Sequence, residues 1–244
     1  MRIEIITMWY NEAFLAPFFL AHYAWADKIT LLYDRDTTDN TPEIVKTAPN
    51  VTIIPFRFPD MLDDGLKQMK INERYTESDC DWVALVDADE FLFYQDGGVL
   101  RYDLRSFLAA SSADVYHVPF FHVHRHKDDA DLDTSLPAVP QRRHGVADAG
   151  KPCVARGGQG IRWKAGCHWL IPDERSRTVL HDGIYCAHWA MADPCFAFER
   201  RLKNRRQRQS RENMARSMGF HNQNITPKDL QREFEAHAED GQLF

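Results

Sequence analysis

The chain has 244 residues, and 30 Lys and Arg against 36 Asp and Glu leave a formal net charge of −6, which gives no general pull toward nucleic acid. A hydrophobic content of 44% is that of an ordinary globular protein, and no run of about eighteen apolar residues is available to cross a bilayer. The 5 cysteines lack any C-x-x-C spacing and suggest neither a zinc ribbon nor a disulfide framework, only reduced and mostly buried thiols.

The opening stretch MRIEIITMWYNEA lacks the charged, apolar and small-residue zones of a secretory leader, so a cytoplasmic protein is the simplest expectation. It reads instead as a strand over residues 2–8, and KITLLYD (28–34) and VTIIPF (51–56) repeat the β-branched pattern with helical material between them. That alternation predicts βαβ units around a parallel sheet in one domain. Pro17 would cost a helix beginning at Asn11 a hydrogen bond. A helix starting at Pro17 avoids this and leaves 11–16 as an ordered loop after the first strand. Farther on, Thr41 is read as the cap of a helix opened by Pro42, and 62–78 as a helix with Leu62, Leu66 and Met69 on one stripe. Asn72 falls on that stripe and needs a backbone or ligand partner.

The next segment, WVALVDADEF (82–91), begins as a continuously apolar strand, the pattern of a central strand covered on both faces. Residues 101–110 then read as a helix, 113–124 as a long strand, and 127–150 as a loop rich in Asp, Arg, Gly and Pro. Short strands are expected around KPCVA, AGCHWLI and RTVLHDGIYCAHW, followed by helices from about Pro194 and about Pro227.

Asp87 and Asp89 reach the carboxyl edge of the sheet together, the usual ligand edge of open α/β folds. Spaced by two, they present both carboxylates to one side if the chain stays extended, and two such anions repel unless a cation or proton lies between them. Mg2+ or Mn2+, held by one or two carboxylates with substrate phosphates completing the shell, resolves the repulsion and implies a di- or triphosphate substrate. The plainer use of the pair is to cap a turn or the next helix.

WVALVDADEF resembles the D-x-D segment of glycosyltransferases with the GT-A fold, in particular the family 2-like subgroup ending D-x-D-E-F. The likeness extends to WYNEAFLAPFFLAHYAWADKITLLYDRDTTDNT near the start and to GIYCAHWAMADPCFAFERRLKNRR, a late histidine before a basic helix, while 95–150 match poorly. The resemblance implies a single Rossmann-like domain with a mostly parallel central sheet flanked by helices, over 1–220, with 221–244 as its C-terminal helical extension. It implies a hexosyltransferase-like enzyme moving a sugar from a nucleotide-sugar donor to a glycan or lipid-linked acceptor, with Mn2+ or Mg2+. By the same resemblance Asp89 is the main metal ligand, Asp87 shares the metal or lies nearer the ribose, and His188 is the late ligand. Asn11 and Glu12 would lie beside the base, Asp34 near the base or ribose, and Asn72 near the sugar nucleotide.

Plainer readings stand beside these: Asn11 as a turn cap, Glu12 as a solvated acid, Asp34 as the start of a turn. A base for the acceptor hydroxyl is open among Glu90, Asp182 and Asp193, and Glu90 is also a candidate for holding a loop. His168 in AGCHWL either lines the acceptor pocket or packs in the core. His122, His124 and His126 share a face if their strand continues, a spacing compatible with a metal, although an exposed strand end is the preferred reading. The basic run from Glu199 to Arg216 reads as a helix with a solvated face. Its functional alternatives are attraction of nucleotide phosphates or peripheral contact with an anionic membrane, with Phe196, Phe198 and Leu202 as an apolar stripe. Two rival functions are a haloacid dehalogenase-type phosphatase, which wants Thr or Val where Glu90 stands, and a non-catalytic nucleotide- or glycan-binding protein on the same fold.

Overall fold

β1 (Ile3–Trp9) is buried along nearly its whole length, as its IEIITMW run requires, and pairs in parallel with β2 (Lys28–Asp34) on one side and β4 (Trp82–Leu85) on the other. The computed structural model describes residues 1–59, 61–164, 166–171, 179–180, 183–205, 208–217 and 225–244. β3 (Val51–Phe56) lies outside β2, at the sheet edge where Pro55 costs no ladder bond. The remaining strands are β5 (Glu90–Asp96), β6 (Val99–Arg101), β7 (Val115–His124), β8 (His144–Arg156), β9 (Val179–Leu180) and β10 (Tyr185–Met191). Their order is β3-β2-β1-β4-β8-β7-β10-β5-β6, with β9 beside β7.

This sheet is mixed, not mostly parallel: β8 runs antiparallel to both β4 and β7, and β5 antiparallel to both β10 and β6. Part of the departure is in 144–150, expected as loop but forming the first half of a 13-residue β8. Glycines make that pairing possible. A Cβ on Gly145 or Gly150 would lie 2.0 Å from the His122 carbonyl oxygen or 1.8 Å from that of Val118, and both residues have positive φ.

The link from β4 to β5 bends the sheet. Five Cα steps from Leu85 to Glu90 reach at most about 18 Å, whereas the four strand spacings between these strands would need about 19 Å in a flat sheet. The reach is shortened further by a turn in which the Glu90 N–H donates to the Asp87 carbonyl at 3.1 Å. The sheet therefore curls around residues 86–89.

Helix α1 (Ala16–His22) carries Pro17 in its first turn as expected. Asn40 is the N-cap of α2 (Thr41–Val45), and the expected cap, Thr41, instead accepts from the Glu12 N–H and donates to Asp39. Asp63 caps α3 (Asp64–Glu77) by accepting from the Leu66 N–H. Ile71 and Tyr75 form its buried face, while Met69 of the expected stripe is 46% exposed. α4 (Arg105–Ala109) precedes β7.

α5 (Pro194–Phe198) runs into a π-helical stretch over Glu199–Arg205, and α6 (Arg211–Ala215) follows. α7 (Pro227–His237) opens with a reciprocal capping box between Thr226 and Asp229. The apolar stripe of Phe196, Phe198 and Leu202 packs inward. Phe198 and Leu202 lie against a small core of Met191, Ile225, Leu230 and Phe234, and the terminal Leu243 and Phe244 pack on the main core. Among the described residues no helix is long and apolar enough to cross a membrane.

Candidate active site

The chain runs from β1 out to β2 and β3 and returns to place β4 on the other side of β1, so the strand order reverses between β1 and β4. A crevice opens outside the carboxyl ends of two such strands. Residues at or just beyond the ends of β1, β2 and β4 therefore converge there, among them the carboxylates Glu12, Asp34, Asp87 and Asp89.

After β1, Asn11 adopts φ 51°, a conformation its short polar side chain tolerates. Its Oδ1 accepts from the Thr38 N–H at 2.7 Å, which ties the loop after β2 to the end of β1. Glu12 is 6% exposed, and its Oε1 accepts from Arg200 Nε at 3.2 Å, with Nη2 3.0 Å away in the ion pair. At the end of β2, buried Asp34 holds Arg208 through an Nη1–Oδ2 contact of 2.9 Å, and the Arg208 guanidinium lies 3.6 Å from the centre of the Tyr10 ring.

Because β4 ends at Leu85 and the chain turns, the two aspartates do not share one face; they meet different cations. Asp87 is part-exposed and accepts from Lys67 Nζ at 2.8 Å, with Lys151 Nζ at 3.9 Å. Burial would raise its pKa, but the Lys67 and Lys151 cations outweigh burial and hold it well below the usual carboxylate range. Asp89 is fully buried, with Arg200 on both its oxygens. Burial works against the Arg200 cation, but Asp89 and Glu12 outweigh it and raise its pKa. Glu90, 3% exposed, accepts from Lys151 Nζ at 2.7 Å and from the Asp87 N–H at 2.9 Å, so both oxygens hold the turn.

A chain of imidazoles leads outward from Asp89. His188 Nε2 lies 3.2 Å from Asp89 Oδ2, His188 Nδ1 lies 2.7 Å from His122 Nδ1, and His122 Nε2 lies 3.1 Å from Asp148 Oδ2. His168 is exposed, and its pKa is lowered by partial desolvation and by the Lys151 cation. Asn72 makes a two-way pairing with the backbone of Trp163, 3.0 Å in each direction. Asp193 caps α5 by accepting from the Phe196 N–H at 2.9 Å. Asp182 lies outside the described residues.

By ligand type Asp87, Asp89 and His188 suit Mn2+ better than Mg2+, since they include an imidazole, but the three do not offer ligand atoms within 4.8 Å of one another. Asp89 Oδ2 and His188 Nε2, 3.2 Å apart, already have a separation that two ligands of one ion can take. Arg200 already contacts both oxygens of Asp89, Oδ2 included, so an ion bound there must share or displace that contact.

Several residues of this neighbourhood escaped the sequence reading. The expected solvated face of 199–216 is only partly so: Lys203, Arg211 and Arg216 are exposed, whereas Arg200 is 5% exposed and Arg208 faces Asp34. Signals for the inward-facing cations do exist. Lys67 is four residues before Ile71 and eight before Tyr75 on the buried stripe of α3, Arg200 is four after buried Phe196, and Lys151 opens the buried run 151–155. His124, expected at an exposed strand end, is 4% exposed.

No protein-family model matches the chain, and no curated protein matches it. Among solved structures it is similar to S. aureus TarS, with a TM-score of 0.44 and 14% identity over 97% of this chain and 43% of that one. It is similar also to TarS 1-349 in complex with UDP-GlcNAc, with a TM-score of 0.44 and 12% identity over 97% and 71% of the two chains. A third is glucosyl-3-phosphoglycerate synthase from Mycobacterium tuberculosis in complex with Mn2+, UDP and glucosyl-3-phosphoglycerate, with a TM-score of 0.34 and 14% identity over 49% and 44%. The chain thus spans less than half the length of the first and third of these. At such scores the likeness carries no functional inference.

Proposed function

We propose that the chain is a glycosyltransferase of GT-A type that moves a sugar from a nucleotide-sugar donor to a glycan or lipid-linked acceptor with the help of a divalent metal. The observation that carries this reading is the reversal of strand order between β1 and β4, with Glu12, Asp87 and Asp89 at the carboxyl ends of those two strands and basic side chains facing them. A nucleoside diphosphate needs such a mixture: cations for the phosphates, carboxylates for a metal and ribose, and a planar surface for the base.

We assign the nucleoside end to the Arg208 plane on Tyr10, backed by Asp34 and by the Asn11-anchored loop. Mn2+ or Mg2+ would be held by Asp89 and His188, joined by Asp87 once its side chain leaves Lys67, and would act as a Lewis acid toward the departing diphosphate. Lys67 is the accessible protein cation beside Asp87 and takes part of the same charge, while buried Lys151 keeps Glu90 and the 87–90 turn in place. Glu90 is therefore assigned as a positioning residue, because both its oxygens are already engaged. We assign His168 to the acceptor side, supported by its exposure and its neutral form at pH 7.

Calorimetric titration with a panel of nucleoside diphosphates, with and without Mn2+, tests the reading. One of them should bind in a metal-dependent manner, and Asp87→Asn, at a part-exposed position, should weaken that binding by about tenfold or more. Failure of the whole panel, or binding indifferent to both Mn2+ and Asp87→Asn, would overturn it. Release of the nucleoside diphosphate from the matching nucleotide sugar then separates a transferase from a binding protein.

A further inference from the structure

β7 ends at His124, and the fold brings to that end the last residue of α7, His237, and Asp240 from the tail beyond it. His237 Nδ1 is 2.8 Å and His124 Nδ1 3.4 Å from the same carboxylate oxygen, Asp240 Oδ2. The three potential ligand atoms lie within 4.8 Å of one another, the sole such group of His, Cys, Asp and Glu among the described residues. We propose that His124, His237 and Asp240 form a binding site for a first-row transition-metal ion of the Zn2+ class, which staples the C-terminal tail to the sheet.

A second observation points to a ligand. The His124 side chain is 5% exposed, yet its Nδ1 has no hydrogen-bond partner: the Asp240 contact lacks the alignment of a hydrogen bond. Buried polar atoms are seldom left in that condition, and a buried imidazole nitrogen aimed at a carboxylate that also faces a second imidazole has the form of a ligand set. Ligands about 2.1 Å from a tetrahedral ion sit about 3.4 Å apart, within the range these atoms span. Two nitrogens and one oxygen favour Zn2+ or its transition-metal neighbours over Mg2+ or Ca2+.

The His124 and His237 rings are stacked, with centroids 4.1 Å apart and planes 7° from parallel, so an ion between them requires one ring to tilt. His237, with a side chain 30% exposed at a helix end, is the one with room to do so. The backbone already holds the tail alongside: the Lys127 N–H donates to the Ala238 carbonyl and the Gly145 N–H to that of Gly241. An ion would add a link between His124 in the sheet and residues 237–240. The site shares no residue with the proposed donor site and does not depend on that assignment.

The test uses the full chain freed of metal by a chelator and titrated with Zn2+ by calorimetry, in parallel with His237→Gln, Asp240→Asn and the donor-site variant Asp87→Asn. Circular dichroism confirms that each is folded. Wild type and Asp87→Asn should share a Zn2+ site that is weakened by about tenfold or more in His237→Gln and Asp240→Asn. Zn2+ should also slow amide hydrogen exchange over 237–244 in the wild type and not in those two variants. Affinity and exchange unchanged by His237→Gln and Asp240→Asn, or a site lost only in Asp87→Asn, would overturn the proposal.

Discussion

His22 is 7% exposed, packed by Tyr23, Phe91 and Tyr102, with Nε2 2.8 Å from the Leu92 carbonyl oxygen. Burial lowers its pKa to about 4, against the slight help of that carbonyl, so the native ring is neutral. The sign follows from which state takes the proton first. As pH falls below about 6.5 the unfolded chain binds a proton that the native chain refuses, so stability is full above that pH and declines until the native ring titrates near 4. The loss attributable to His22 is about 3 kcal/mol over that window. His22→Gln, which keeps a donor for Leu92, should have a flatter stability profile than wild type between pH 7 and pH 4 in urea denaturation, and equal slopes would refute the assignment. Individual residues were the least legible scale. The choice of Arg200 for Asp89 is made between residues 111 apart in sequence, and nothing in a run of arginines says which one turns inward.

Among the elements, the β7–β8 pair departs most from the local signals. Gly and Asp in HGVADAG read as loop, yet the ladder continues through them because the backbones of Gly145 and Gly150 approach β7 too closely for a side chain. Gly150→Ala should cost about 3 kcal/mol, combining steric overlap with backbone strain. Gly158, at φ 70° with open space where a Cβ would stand, should cost only about 1 kcal/mol on the same change. Equal losses in thermal or urea unfolding would mean that close approach is not what sets the glycine requirement. The parallel strands β1, β2 and β4, and the starts of α1, α5 and α7, were by contrast legible, since apolar runs, prolines and caps act within a few residues of themselves.

Across the whole molecule, the curl of the sheet joins parts that the ladder keeps apart. β8 and β5 are separated by β7 and β10 in the strand order, yet Lys151 of β8 reaches Glu90 of β5 at 2.7 Å, with both side chains no more than 5% exposed. Lys151→Met leaves Glu90 without its buried cation and should cost about 3–5 kcal/mol, whereas Lys151→Met combined with Glu90→Gln should recover part of it. Urea denaturation of the two single variants and the double variant measures the coupling, and strictly additive losses would show that this pair does not tie the two halves together.

The sequence by itself determined where β1, β2 and β3 begin, that WVALV is a central buried strand, and that Asp87 and Asp89 emerge at its carboxyl end. Those are short-range consequences of hydrophobic pattern and turn chemistry. Only the tertiary structure decided that the two carboxylates turn apart, that Lys67, Lys151 and Arg200 answer them, and that His124 meets His237 and Asp240. Which charges become neighbours depends on how a curled sheet and its terminal helices close on one another, and that closure is set by packing among segments as distant in sequence as Glu12 and Arg200, 188 residues apart.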